Sequence, residues 1–160
     1  MVLTSENIYS LLSEIPDPEI PVITISELGI LRSVEMENDK VVVTITPTYS
    51  GCPAMKMIED EIKKSLKENG IENVSVKMVY TPAWTTDWMN DEAKEKLRKY
   101  GISPPGKLNK LNSISGDSAV SCPRCGSKDV KLVSHFGSTA CKAIYTCNNC
   151  REPFDQFKCH

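Results

Sequence analysis

Residues 40–70, KVVVTITPTYSGCPAMKMIEDEIKKSLKENG, hold a strand, a short loop and a helix in immediate succession. Val41, Val43 and Ile45 alternate with Val42 and Thr44, so branched side chains lie on both faces and both are expected to be covered. Pro47 ends the strand because it has no N–H to give a ladder. After Thr48-Tyr49-Ser50-Gly51-Cys52, Pro53 suits the first turn of a helix, and Met55, Ile58, Ile62 and Leu66 then recur on one face. Gly70 supplies the stop.

On the N-terminal side, Ile8, Leu11, Leu12 and Ile15 line one face of a helix capped by Thr4 or Ser5. That helix must end by Pro16, and Pro16, Pro18 and Pro21 are expected to keep the following segment extended. Ile30–Met36 reads as a strand turning at Asn38-Asp39 into the strand at Lys40–Thr46. On the C-terminal side, Val74–Tyr80 is a third strand with Val74, Val76 and Met78 on one face. A loop, TPAWTTDWMN, leads to a short helix over Asp91–Tyr100, with Ala93, Leu97 and Tyr100 inward. The order α-β-β-α-β-α predicts a small two-layer α+β domain over 1–101, its helices on a three-stranded sheet. Pro104-Pro105-Gly106 and GKLNKLNSISGDS give 102–120 the composition of a linker.

Residues 121–160 read differently. Cys122-Pro-Arg-Cys125 and Cys147-Asn-Asn-Cys150 are two CxxC pairs with 21 residues between them. Four thiolates on two knuckles make a tetrahedral sulfur cage, which predicts a zinc ribbon with structural Zn²⁺ or, in second place, a mononuclear iron. Phe136, Tyr145, Phe154 and Phe157 are expected to form a small core over the metal. Cys141 and Cys159 fall outside the knuckles and are candidate additional ligands, with burial or a chain end as the other explanation. His135 reads as a strand residue.

Cys52 lies between a strand end and a helix start, where unpaired N–H groups and the helix dipole favour negative charge. Its thiol is expected to be acidified, in the form that attacks electrophiles and binds iron. A small buried apolar residue is the other reading, and local placement does not separate the two. Asp17 and Glu19 form a carboxylate pair in a proline-stiffened loop and gain chemical interest if the fold sets them beside Cys52. Trp84 and Trp88 either form a partner-binding surface or cover the end of the sheet.

The chain has 160 residues, 25% charged and 40% hydrophobic, within the range of soluble globular proteins. Residues 1–101 carry 11 Lys and Arg against 17 Asp and Glu, which argues against a broad phosphate-binding surface there. Residues 102–160 carry 8 against 4. Aromatics interleaved with Lys131, Lys142 and Lys158 leave stacking on single-stranded nucleic acid below protein docking. No apolar run reaches membrane-spanning length, and the N-terminus has no basic flank, so a cytoplasmic address with no membrane association is expected. Seven cysteines then imply metal or redox chemistry. The sequence has no GxGxxG fingerprint, no P-loop and no Glu-x-x-His pair, so an autonomous oxygenase is not expected.

The run DPEIPVITISELGIL followed by TPTYSGCPAM resembles iron–sulfur assembly factors of the SufT type. With TPAWTTDWM, GISPPG, CPRCGS, FGSTACKA and EPFDQFKCH added, nearly the whole chain resembles the PaaD family, the D component encoded with the bacterial phenylacetyl-CoA ring epoxidase. The resemblance implies a non-enzymatic maturation factor that helps insert iron–sulfur clusters, with the epoxidase's reductase as client. It makes Cys52 the cluster-handling thiol, matches Asp17 and Glu19 to the DPE element, and matches Cys122, Cys125, Cys147 and Cys150 to the ribbon. A transient cluster on one thiolate needs further ligands, from a second chain in a homodimer, a small thiol or the tail cysteines. The alternative is a structural or electron-transfer subunit that stays with the oxygenase components.

Overall fold

The computed structural model describes residues 4–106 and 120–158. They fall into two compact units, Met1–Trp84 and Thr85–His160.

In the first unit, α1 (Ser5–Ser13) starts where the Thr4 hydroxyl accepts the N–H of Asn7, a side-chain cap for an otherwise unpaired donor. Strands β1 (Leu31–Glu37) and β2 (Lys40–Ile45) form an antiparallel hairpin. Asn38 and Asp39 both have positive φ, as a two-residue hairpin turn requires. Val41, Val42, Val43 and Ile45 are all buried, as their two-faced pattern implied. Helix α2 (Ala54–Glu68) buries Met55, Ile58, Ile62 and Leu66, at about 1.5–3 kcal/mol for each large side chain. It then returns the chain to β3 (Val74–Met78), which lies parallel to β2. The sheet order is β1-β2-β3.

One expectation in this unit is corrected. The segment after Pro16 is not extended: it folds back on itself, with Asp17 N–H donating to Ile23 and Ile25 N–H to Ile15. Burial of Ile20, Ile23, Ile25 and Leu28 drives the closure, outweighing the stiffness of three prolines. Val74, Val76 and Met78 alternate onto one face of β3 as expected, with Met78 37% exposed at the end of this edge strand.

The second unit begins with a single 3-10 turn (Thr86–Trp88) and α3 (Asp91–Tyr100). Asn90 caps α3, its side chain accepting the N–H of Ala93 at 2.7 Å, and Gly101 ends it with a left-handed φ of 94°. Ala93 and Leu97 are buried as expected, but Tyr100 is 54% exposed, because the last helical turn runs past the core. Ile102–Ser103, at the start of the stretch with linker composition, is a short strand, β4. It pairs in parallel with β7 (Pro153–Phe157), and β6 (Lys142–Cys147) and β5 (Val130–Ser134) follow, giving the order β4-β7-β6-β5. Two adjacent residues carry no periodicity, so composition alone could not reveal β4. Residues 107–119 of the expected linker, and Cys159, lie outside the described residues.

Candidate functional site

Two sites take shape, one in each unit. In the first, strand directions gather three loops at one end of the sheet. Leu31, the first residue of β1, pairs with Ile45 at the end of β2, and Ile45 pairs with Met78 at the end of β3. Thr46 binds the flanking strands together there: its N–H donates to Ile30, and its hydroxyl donates to Val79 at 2.7 Å. The loop carrying Asp17 and Glu19, the loop carrying Cys52 and the loop carrying Trp84 all run from this end. Trp84 is buried and donates its indole N–H to the carbonyl of Leu28, so it covers the end of the sheet.

Cys52 is half-buried, two residues before the first residue of α2. Its position is set by local turns: its N–H donates to Tyr49, its carbonyl accepts from Met55, and Gly51 before it takes φ +77°. Pro53 occupies the cap position, one residue earlier than expected, and provides no side-chain cap, so this helix end relies on its backbone alone. Asp17 is 5% exposed, and one carboxylate oxygen accepts the N–H groups of Glu19 and Ile20 at 2.9 and 2.8 Å. These bonds fix the shape of its own loop. Glu19 is half-buried.

In the second unit, Cys122, Cys125, Cys147 and Cys150 place their sulfurs within 4.8 Å of one another. Cys122 and Cys150 are 3.7 Å apart at Sγ, and Cys125 and Cys147 3.6 Å. A tetrahedral metal with bonds of about 2.3 Å needs sulfurs about 3.8 Å apart, so the cage fits. Backbone hydrogen bonds shape the two knuckles: Gly126 N–H donates to the Cys122 carbonyl, and Arg151, with positive φ, donates to that of Cys147. The sulfurs differ in electrostatics. Hydrogen bonds from the Ser127 backbone and then the Asn149 side chain lower the Cys125 thiol to about 6. Burial, then the neighbouring thiols, push Cys150 up to about 12.

Val120, Cys122, Cys147 and Phe154 form the small core at the cage, joined by Val130, Tyr145 and Cys150. Tyr145 stacks on Phe154 with ring centroids 5.9 Å apart. Phe157 is buried outside that cluster, and Phe136 departs from expectation: it is 68% exposed, with the Lys158 ammonium 4.7 Å from its ring centre. It lies two residues beyond the end of β5. Lys142, one of the lysines interleaved with the aromatics, is buried, which weakens the nucleic-acid alternative further. Cys141 is also buried, with its sulfur 3.0 Å from the Thr139 hydroxyl. It precedes β6, whereas Cys147 ends that strand, so the two lie about 20 Å apart along it and Cys141 is not in the cage. His135 follows β5 and is exposed.

The family profile described as iron–sulfur cluster assembly protein matches residues 5–77, and the PaaD zinc beta ribbon domain matches residues 108–158. The chain is 51% identical over 152 residues to an Escherichia coli K12 protein provisionally named as the D component of 1,2-phenylacetyl-CoA epoxidase, covering 95% of this chain and 91% of that one. The first part is 38% identical over 94 residues to a Bacillus subtilis protein named Fe-S protein maturation auxiliary factor YitW, covering 58% of this chain and 91% of the relative. A crystal structure of a domain of unknown function from Bacillus anthracis superposes with a TM-score of 0.53 at 33% identity, over 58% of this chain and 90% of that one. An iron–sulfur assembly domain is thus joined to a metal-binding zinc ribbon. The chain belongs to the PaaD family, whose member in Escherichia coli it matches over nearly its full length.

Proposed function

We propose that this protein is an accessory factor for iron–sulfur cluster maturation in a phenylacetyl-CoA epoxidase system, with the iron–sulfur reductase of that system as client. The observation that carries the reading is the placement of Cys52. It is a half-buried thiol at the junction of β2 and α2, at the sheet end where the DPE loop and the Trp84 loop also gather. Open α/β sheets bind ligands at the carboxyl ends of their parallel strands, and Cys52 follows such an end. The naming of relatives as maturation factors and as an epoxidase component supports the same role.

The division of labour follows from the two geometries. Cys52 alone cannot saturate a cluster, which needs four protein ligands in a stable site, so the bound cargo stays incompletely ligated and is readily passed on. A second chain of a homodimer, or a ligand from the client, completes the shell during transfer. Asp17 and Glu19 shape the loop beside this end of the sheet; Asp17 does so as a buried acceptor of backbone N–H groups. The cage of Cys122, Cys125, Cys147 and Cys150 holds structural zinc, which supplies folding free energy to a ribbon with a small core. The ribbon serves as the docking element. Among the described residues no helix is long and apolar enough to cross a membrane, which agrees with a cytoplasmic site of action.

The test is cluster transfer. The protein is reconstituted anaerobically with iron and sulfide, mixed with cluster-free reductase, and reductase activity is followed. The native protein should restore activity faster than free iron and sulfide, and Cys52→Ser should fall to the free-reagent rate while keeping its circular dichroism. Equal rates from both proteins would overturn the assignment.

A further inference from the structure

A cavity of about 350 Å³ opens within the second unit, between the last turn of α3 and the first cysteine knuckle. Its apolar lining is Pro123, Pro153 and Phe154, all conformationally restricted, with Tyr100 beside them. Arg98 and Lys99 contribute cations from the end of α3. Arg124 also lines it but is ion-paired to Glu152. Arg98 has only a long contact of 3.9 Å to Glu95, and both side chains are about half exposed. The lining therefore keeps a positive surplus over an apolar, aromatic surface.

This combination has a specific meaning for recognition. Rigid rings and prolines lose little conformational freedom when covered, and Arg and Tyr are the residue types that carry most energy in protein interfaces. The volume lies at the small end of ligand pockets, enough for one large side chain but not for a long segment. Cations at the edge, of which Arg98 is held by only a long ion-pair contact, favour carboxylates on either side of that side chain. The wall also depends on the metal, because Cys122 lines the cavity and Pro123-Arg124 spans the knuckle.

We infer that this cavity docks an acidic segment of a protein partner, seating one aromatic or branched side chain between carboxylates that meet Arg98 and Lys99. The inference rests on the reading of the ribbon as a docking element and is independent of cluster transfer at Cys52.

The test selects random displayed heptapeptides on the full zinc-loaded chain and remakes the enriched sequences as fluorescent probes. Enrichment of an aromatic or branched residue flanked by Asp or Glu is expected. Those probes should bind at least tenfold more weakly to Arg98→Gln/Lys99→Gln and to Tyr100→Ala. They should bind unchanged to Lys131→Gln, which removes an exposed cation elsewhere on the ribbon. Circular dichroism and one zinc per chain check that each variant folds, and chelation of zinc should abolish binding. Enrichment without acidic residues, no enrichment at all, or undiminished binding to Arg98→Gln/Lys99→Gln overturns the inference. Saturable binding of phenyl phosphate in place of any peptide also overturns it, and assigns the cavity to a small anion. In each of these cases transfer by the native protein and its loss in Cys52→Ser remain a separate result.

Discussion

Trp84 and Leu28, 56 positions apart, meet through an indole N–H to carbonyl hydrogen bond of 2.7 Å. The bond joins the loop after β3 to the loop before β1, and Trp84 is only 5% exposed. Trp84→Phe removes the donor and strands a buried carbonyl. A loss of about 1–3 kcal/mol is expected, read as a lower urea midpoint at an unchanged slope. An unchanged midpoint would mean that water replaces the bond.

Asp17 offers a way to separate shape from chemistry. Asp17→Ala removes the acceptor for two backbone N–H groups and should cost about 1–2 kcal/mol, as capping deletions do. Asp17→Asn keeps an acceptor oxygen and should recover most of that stability, along with most of the transfer rate. A stable Asp17→Asn protein that no longer transfers clusters would instead require the charge itself.

Gly51 precedes the proposed cluster-handling thiol with φ +77°, and Gly70 ends α2 with φ +79°. An added Cβ meets nothing within 4 Å at either, so alanine brings left-handed strain alone, about 1–2 kcal/mol. Both variants should lose similar stability by urea denaturation. Only Gly51→Ala should slow cluster transfer, because it moves the turn that holds Cys52. Equal transfer by the two would show that this turn tolerates displacement.

The cage makes a prediction about pH. In the metal-free chain Cys125, held near 6, is a thiolate from slightly acidic pH upward, whereas Cys150, near 12, stays a thiol at neutrality. Iodoacetamide at pH 7 should label Cys125 well before Cys150, as peptide mass mapping would read. The two shifts act oppositely on the metal-free fold. The lowered Cys125 favours it above about 9 and loses that contribution as pH falls through about 6. The raised Cys150 favours it below about 9 and loses its contribution as pH rises toward 12. Zinc should suppress labelling at both positions.

Long periodic elements were legible in the sequence because burial enforces their periods. Ile58, Ile62 and Leu66 announce α2, and the two-faced valines of β2 announce a central strand. The cage was legible because two short knuckles fix ligand spacing locally. What escaped were non-local outcomes. Three prolines gave no sign that Ile20, Ile23 and Ile25 would close their loop, and β4 exists only because β7 is there to pair with it. Phe136 reads like Phe154 as one aromatic among several, yet only Phe154 has the cage and Tyr145 to lie against. The cavity beside the first knuckle needed α3 and residues 122–124 brought together, which no motif encodes.

The two knuckles also set an order of events during synthesis. Cys147 and Cys150 leave the ribosome only after every strand and helix of the first unit has been made. Until they emerge, Cys122 and Cys125 can offer an ion just two sulfurs, too few for a closed tetrahedral site. An ion can thus close the cage only once the second knuckle has emerged, and a filled cage marks a molecule whose Cys52-bearing unit was translated beforehand.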